Sequence, residues 1–387
     1  MQIPFHKPII SSDIYTRLSD SIDSGWLTTG PKVKEFEERL SQYLNAKHVI
    51  AVNSGTAALH LPLAAIGLKA DDLFIAPTYT FVATVEVGEY FNARPILVDV
   101  DPVTLNLDLN QVEDELKKYG NKIRVILPVH LAGHPVDMKS LKQMADKYGI
   151  FILEDAAHAL ETITNTGKVG NTNDAAAFSF YANKNITTGG EGGAVATNNS
   201  ELADLIRKLS LHGMSKDGWN RFAKGGKWYY EITDLGYKYN MTDISAIFGL
   251  EQMQHVEEWS KRRHFIVNQY KDKLSKIPGL ILPEDPEFGY HAWHLFIVRM
   301  KPEMWKISRN ELIGKINEKG IGTSVHYIPV HMHPYYIKKY KYLDTDFPIA
   351  KRLSETVITL PLYPGLKQEQ LEYIISSLSY FWKMYRS

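Results

Sequence analysis

Six short apolar runs, spaced by stretches of helical periodicity, limit what this chain can fold into. HVIAVN (48–53) leads into GTAALHLPLAAIGL (55–68), and DLFIAP, RPILVDV, KIRVILPVH, IFILED and DAAAFSF continue the series. Between them TFVATVEVGEYF, LNQVEDELKKYG and MKSLKQMADKYG repeat apolar residues every three or four positions, as helices do. A strand that is apolar on both faces needs cover on both faces. Alternation with helices supplies it, which implies an α/β fold with a mostly parallel sheet.

The 387 residues suffice for a large domain of this kind plus a smaller one. A helical pattern runs from Thr242 to about Ser275, and we place the division inside it: 1–255 as the large domain, 256–387 as the small. About 20 N-terminal residues are expected to pack on the small domain, which reads as α+β with HAWHLFIVRM and GIGTSVHYIPV as strands. Segment 213–236, GMSKDGWNRFAKGGKWYYEITDLG, breaks the rhythm and reads as a long surface loop near the site.

Composition narrows the function. Lys+Arg and Asp+Glu balance at 44 each, which argues against duplex nucleic acid or an anionic membrane as partner. Without cysteine, disulfides, thiolate metal sites and cysteine nucleophiles are excluded. MQIPFHKPIISSD lacks the basic segment and apolar core of a secretion signal, and no apolar run approaches the roughly 18–20 residues that span a bilayer. A cytoplasmic location is the expectation.

Sites in open parallel sheets gather at the carboxyl ends of strands. Those positions hold Ser54, Gly55 and Thr56; Thr78, Tyr79, Thr80 and Phe81; Asp155 with His158 beyond it; and Ser179. Ser54-Gly55-Thr56 opens a helix, where free N–H groups and the dipole favour a phosphate, although a simple cap reads the same way. Asp155 ends an apolar strand, where a carboxylate is costly without a partner such as a pyridinium nitrogen; a helix cap is the alternative. The sharpest signal is FSFYANKNITTGGEGG (178–193). Here Lys184 follows a buried strand and precedes Gly189, Gly190, Gly192 and Gly193. A partly desolvated lysine has a lowered pKa and forms Schiff bases, and glycines let backbone pass close to a ligand. Neither G-x-G-x-x-G nor G-x-x-x-x-G-K-[ST] occurs here, so dinucleotide and P-loop sites are disfavoured. His326, His331 and His333 lack the H-E-x-x-H arrangement, and no metal is expected.

Taken together, SGWLTTGP (24–31), AVNSGTAALH, APTYTFVAT, VDVDPVTLNLD, LPVHLAGHPVDM, EDAAHA, FSFYANKNITTGGEGG, GYKYNMTDI (236–244), HAWHLF, GIGTSVHY and TLPLYPGL (359–366) resemble the DegT/DnrJ-type (StrS-like) sugar aminotransferases. These are pyridoxal-phosphate enzymes of fold type I, so the resemblance implies a seven-stranded large-domain sheet and a small C-terminal domain. It implies that Lys184 holds pyridoxal 5'-phosphate as a Schiff base and moves the proton. Asp155 would face the pyridine nitrogen, His158 the ring, and Phe81 would stack on it. Gly55, Thr56 and Ser179 would hold the phosphate, joined by Asn240 from the neighbouring subunit of a homodimer with shared sites. Trp26, Thr28, Thr29 and His326 would line a nucleotide-sugar pocket. Arg221 is a candidate for the donor carboxylates.

The implied reaction moves an amino group from L-glutamate to a keto group of a UDP- or dTDP-linked sugar, at C4 by similarity to UDP-4-keto-sugar enzymes, for surface polysaccharide, lipopolysaccharide or glycan synthesis. A dehydratase on the same scaffold and a non-catalytic cofactor-binding regulator are the alternatives.

Overall fold

In the computed structural model, which describes residues 1–215 and 229–387, seven strands form the central sheet. They are β1 (His48–Val52), β2 (Leu73–Pro77), β3 (Arg94–Val98), β4 (Ile123–Ile126), β5 (Phe151–Asp155), β6 (Ala175–Ser179) and β7 (Gly193–Thr197). The order across the sheet is β1-β7-β6-β5-β4-β2-β3. Every pairing is parallel except the two made by β7, which runs against both β1 and β6. β7 is the strand that the apolar-run pattern omits. It begins at Gly193, inside the glycine cluster, so its start carries no apolar signal. The close packing requires that glycine: a Cβ on Gly193 would lie 2.4 Å from the Ser54 carbonyl oxygen.

Helices Gly55–Ala65, Ala83–Glu89, Leu109–Tyr119 and Met138–Tyr148 connect the strands where the periodicity places them. The inward-facing residues on both sides of β1, β2, β4 and β5 are mostly apolar because helices cover both faces of the sheet. Ile50, Val52, Phe74, Val125 and Leu153 enter one buried cluster, and Ile75, Ile126 and Ile152, the alternate residues, enter another. Register follows from this: slipping by one residue would exchange the two cores.

The helical pattern from Thr242 to Ser275 resolves into two helices, Asp243–Gln252 and Val256–Leu274, broken at residues 253–255. Beyond the break, a three-stranded antiparallel sheet of Leu280–Ile281, Phe296–Met300 and Val357–Leu360 packs in a separate core with Tyr270, Leu312, Leu371 and Phe381. Ile3 belongs to this core, and its backbone pairs with Gly320 and Gly322. The expected strands are shorter than their text. In HAWHLFIVRM only Phe296–Met300 is extended; Trp293 takes φ 48°, and Ala292 and His294 donate backbone hydrogen bonds to Gly133 and Ala132 of the other core. GIGTSVHYIPV forms no strand. Its backbone makes single bridges, Ile321 to Ile3 and Ser324 to Thr359, because its two neighbours lie on different paths. Of segment 213–236, the flanks pair with each other through Met214 and Ile232, while residues 216–228, Arg221 among them, lie outside the described residues.

Candidate active site

The carboxyl ends of β1, β2, β5 and β6 lie on one edge of the sheet and surround a cavity of about 400 Å³. Gly55, Thr56, Phe81, Asp155, His158, Ser179, Lys184 and His326 all line it. These residues span most of the sequence, and parallel strand direction is what brings them together.

The Gly55–Ala65 helix starts with both of its possible functions visible. Ser54 is an N-cap, its Oγ accepting from Ala57 N at 3.1 Å. That leaves the amides of Gly55 and Thr56, which a first turn cannot pair internally, facing the cavity with the positive end of the dipole. Gly55 is required by contact: a Cβ there would sit 2.8 Å from Ser179 Cβ. Helix end and strand edge thus close into a cradle of small polar groups suited to an anion.

Asp155 is buried at the end of β5. Thr84 Oγ1 donates to its Oδ2 at 2.7 Å and Ala157 N to its Oδ1 at 3.1 Å, while Thr80 and Thr84 share a hydrogen bond of 2.9 Å. Burial pushes the carboxyl's pKa up, and the two donors and the Lys184 charge oppose it. Two neutral donors leave one buried charge uncompensated, so the site is arranged for a cationic N–H in the cavity. Thr84 is a residue that the sequence reading passed over; it stands in the first turn of the Ala83–Glu89 helix.

Lys184 follows β6 by five residues, in a turn closed by Lys184 N donating to the Tyr181 carbonyl at 2.9 Å. Its side chain is half-buried, exposed toward the cavity it lines. Burial of the amine lowers its pKa to about 8, partly offset by Asp155. The free-base form is therefore far more accessible near neutral pH than for an ordinary lysine, as a nucleophile or base requires.

His158 is buried and neutral: burial holds its pKa far below the ordinary value, with the Lys184 charge acting in the same direction. Its tautomer is fixed by the backbone. Ala132 N donates to Nδ1 at 3.2 Å, so the ring proton sits on Nε2, which donates to the Tyr327 hydroxyl at 3.0 Å. Tyr327 also lines the cavity. His294 lies behind, its ring 4.4 Å from that of His158 and its Nδ1 donating to Asn185 Oδ1 at 2.9 Å. Asn185 donates to Glu161, which pairs with Arg263; both side chains of that ion pair are at most 3% exposed. None of Tyr327, His294, Asn185, Glu161 or Arg263 stands directly after an apolar strand, where the search looked.

Phe81 is 57% exposed at the cavity, an unusual setting for a phenylalanine and a ready face for a planar ring. Trp26, Thr28, Thr29 and Asn240 do not line this cavity. They gather instead with one another: Asn240 Nδ2 donates to Thr29 Oγ1 at 2.7 Å, Trp26 Nε1 to the Thr29 carbonyl at 3.2 Å, and Asp243 N to the Thr28 carbonyl at 3.1 Å. The three histidines of 325–336 diverge. His326 Nδ1 meets Thr359 Oγ1, His331 Nδ1 meets Thr78 Oγ1, and His333 borders a separate surface groove.

The residues present fit pyridoxal phosphate. They offer an anion cradle, a buried carboxylate short of a cationic partner, an amine of lowered pKa and an exposed aromatic face, all in one cavity. Comparison with known proteins agrees. The DegT/DnrJ/EryC1/StrS aminotransferase family profile matches residues 8–379. The spore coat polysaccharide biosynthesis protein SpsC of Bacillus subtilis (strain 168) is 41% identical over 377 residues, 97% of this chain and 96% of the relative. Among solved structures, the sugar aminotransferase Spr1654 of Streptococcus pneumoniae in its PLP-form superposes with a TM-score of 0.90 at 32% identity, covering 99% of both chains. DesV of S. venezuelae, in complex with a ketimine intermediate, superposes with a TM-score of 0.87 at 31% identity, covering 96% of this chain and 95% of that one.

Proposed function

We propose a substrate, a donor and residue roles from one premise: this chain belongs to the DegT/DnrJ/EryC1/StrS aminotransferase family and is a pyridoxal-phosphate-dependent sugar aminotransferase. The reading is that it moves the amino group of L-glutamate to the C4 keto group of a nucleotide-linked sugar, in the cytoplasm, for a surface polysaccharide. A relative named for spore coat polysaccharide biosynthesis supports the pathway class. The observation that carries the catalytic part is the meeting of Lys184, Asp155, Ser179 and the Gly55–Thr56 helix start in one cavity.

Bound there, pyridoxal phosphate supplies an aldehyde that carries the amino group and a ring that accepts electrons from a broken C–H bond. The Gly55 and Thr56 amides and Ser179 hold the phosphate. Asp155, oriented by Thr84 and Ala157, keeps a proton on the pyridine nitrogen. His158 Nε2–H is spent on the Tyr327 hydroxyl, which leaves the Tyr327 proton free to donate to the cofactor, and Phe81 would cover a ring face. Lys184 Nζ is the attachment point for the cofactor. Released, it removes a proton from the substrate carbon and returns one. His326 borders the sugar.

Asn240, with Trp26, Thr28 and Thr29, completes the site of a second subunit. Support comes from their grouping away from this chain's own cavity and from exposed apolar residues on the same segments: Ile22, Leu27, and Leu235 at 89% exposure. We divide the subunit near residue 255, where the helix breaks.

A screen of UDP-, dTDP- and GDP-4-keto sugars with glutamate, following 2-oxoglutarate, tests the substrate. Turnover is expected with at least one UDP- or dTDP-linked 4-keto sugar; amino transfer to none of them overturns the reading. For the shared site, Asn240→Ala is expected to weaken cofactor retention roughly tenfold, the scale of one charge-assisted hydrogen bond. Equilibrium dialysis measures it, and a fully active monomer by light scattering would overturn the dimer.

A further inference from the structure

Lys184 stands in the wall between two cavities. The active-site cavity is one; the other, of about 20 Å³, shares Asn183, Lys184 and His294 with it, and His6, Arg263 and Tyr363 are among its other lining residues. His6 reaches this place because the N-terminal segment crosses from the smaller core. Ile3 is held by Gly320 and Gly322, Phe5 stacks on His326 at 5.6 Å, and His6 packs edge-on against Tyr363 at 6.0 Å.

Three polar groups meet here without partners among the described residues. His6 Nε2 is buried without a hydrogen-bond partner, and the nearby Ala182 backbone, which raises the ring's basicity, favours a proton on Nδ1. Burial, with Arg263 nearby, lowers the pKa of His6 to about 4, so the ring is neutral and Nε2 is a bare lone pair. Asn183 Oδ1 is a second buried acceptor with no donor. Lys184 Nζ feels burial and the Asp155 charge but makes no hydrogen bond. Two buried acceptors without donors, beside an amine without an acceptor, are costly apart and complementary together.

We propose that His6 Nε2 and Asn183 Oδ1 are the docking acceptors for the Lys184 amine whenever it is not bonded to the cofactor. This rests on the reading of Lys184 as the cofactor lysine. The amine turns from the large cavity toward the small one and donates to both acceptors. Docking clears the space where the amino donor must bind, and it steadies the ammonium form through the interval in which Lys184 keeps the proton it has taken. The other groups facing the lysine are Asp155 from β5 and the histidines His158, His294 and His326; all three histidines are held neutral by burial, so none competes as a cation. Arg263 faces His6 but is paired with Glu161. His6 and Asn183 are positioning residues, acting through the lysine.

The test uses the full chain reconstituted with pyridoxamine phosphate, in which the lysine is free. Competitive acetylation with acetic anhydride across pH, read by peptide mass, gives the Lys184 midpoint in the parent, expected below the ordinary lysine value. His6→Leu is expected to lower it by about one unit, a tenfold change in the protonation equilibrium. His6→Gln, which keeps an acceptor, is expected to restore it, and Asn183→Leu to shift it in the same direction as His6→Leu. If His6→Leu does not fold, Asn183→Leu carries the test. An unchanged or raised midpoint in a folded leucine variant overturns the docking proposal. Borohydride labelling of the pyridoxal form is read separately: label away from Lys184 refutes the lysine's cofactor role whatever the midpoint does.

Discussion

Lys184→Ala is expected to abolish both covalent capture of the cofactor and turnover. In the parent protein supplied with pyridoxal phosphate, borohydride reduction should place a pyridoxyl group on the peptide containing Lys184, and the visible absorbance of the bound cofactor should disappear on reduction. The variant should show neither. The expected loss of turnover is at least 10²–10⁴-fold, the range for removing a positioned proton-transfer group alone, before counting the lost attachment. The fold should survive, because the residue is half-buried and its amine makes no hydrogen bond that holds structure together. Circular dichroism and retained phosphate-dependent binding of pyridoxamine phosphate check that. A folded Lys184→Ala protein with undiminished amino transfer would remove the basis for the residue roles given above.

The second large effect is on stability. Arg263→Ala is expected to destabilise the protein by about 3–5 kcal/mol, since it strands the Glu161 carboxylate in the interior. Glu161 is almost fully buried, and its remaining partner is Asn185 at 2.5 Å, a neutral donor unable to balance a charge. Urea denaturation measures the change. The paired replacement Arg263→Met with Glu161→Leu is expected to recover most of the stability, because buried ion pairs rarely outperform well-packed apolar residues. It should not recover the cofactor's normal absorbance. Removing Glu161 leaves Asn185 without its acceptor, and Asn185 orients His294, which packs on the His158 ring. Full recovery of both stability and spectrum by the double variant would mean that the pair is structural only.

Sequence logic found residues that meet the cavity directly from a strand end. Ser54, Gly55, Asp155 and Ser179 each terminate or follow an apolar run, so position in the chain already implied position in space. It could not find groups whose role depends on a distant partner. Arg263 lies 102 residues from Glu161 and sits in the middle of a helix that reads as amphipathic surface. His6 belongs to a stretch with no periodicity, and its placement depends on Ile3 joining a core built mostly from residues after 256. Trp293 and Ala132 take positive φ at the junction of the two cores, where tertiary hydrogen bonds outweigh the extended preference of HAWHL.

What the sequence determined by itself is the layered α/β sheet and the line of polar residues along one edge. Both follow from local burial periodicity and the single direction of parallel strands. What only the tertiary structure decided is the electrostatic setting of those residues. The neutral state and tautomer of His158, the lowered pKa of Lys184 and the unpaired acceptors of His6 and Asn183 arise from desolvation and from contacts across distant segments. Such quantities depend on what surrounds a group in three dimensions, which residue order alone does not encode.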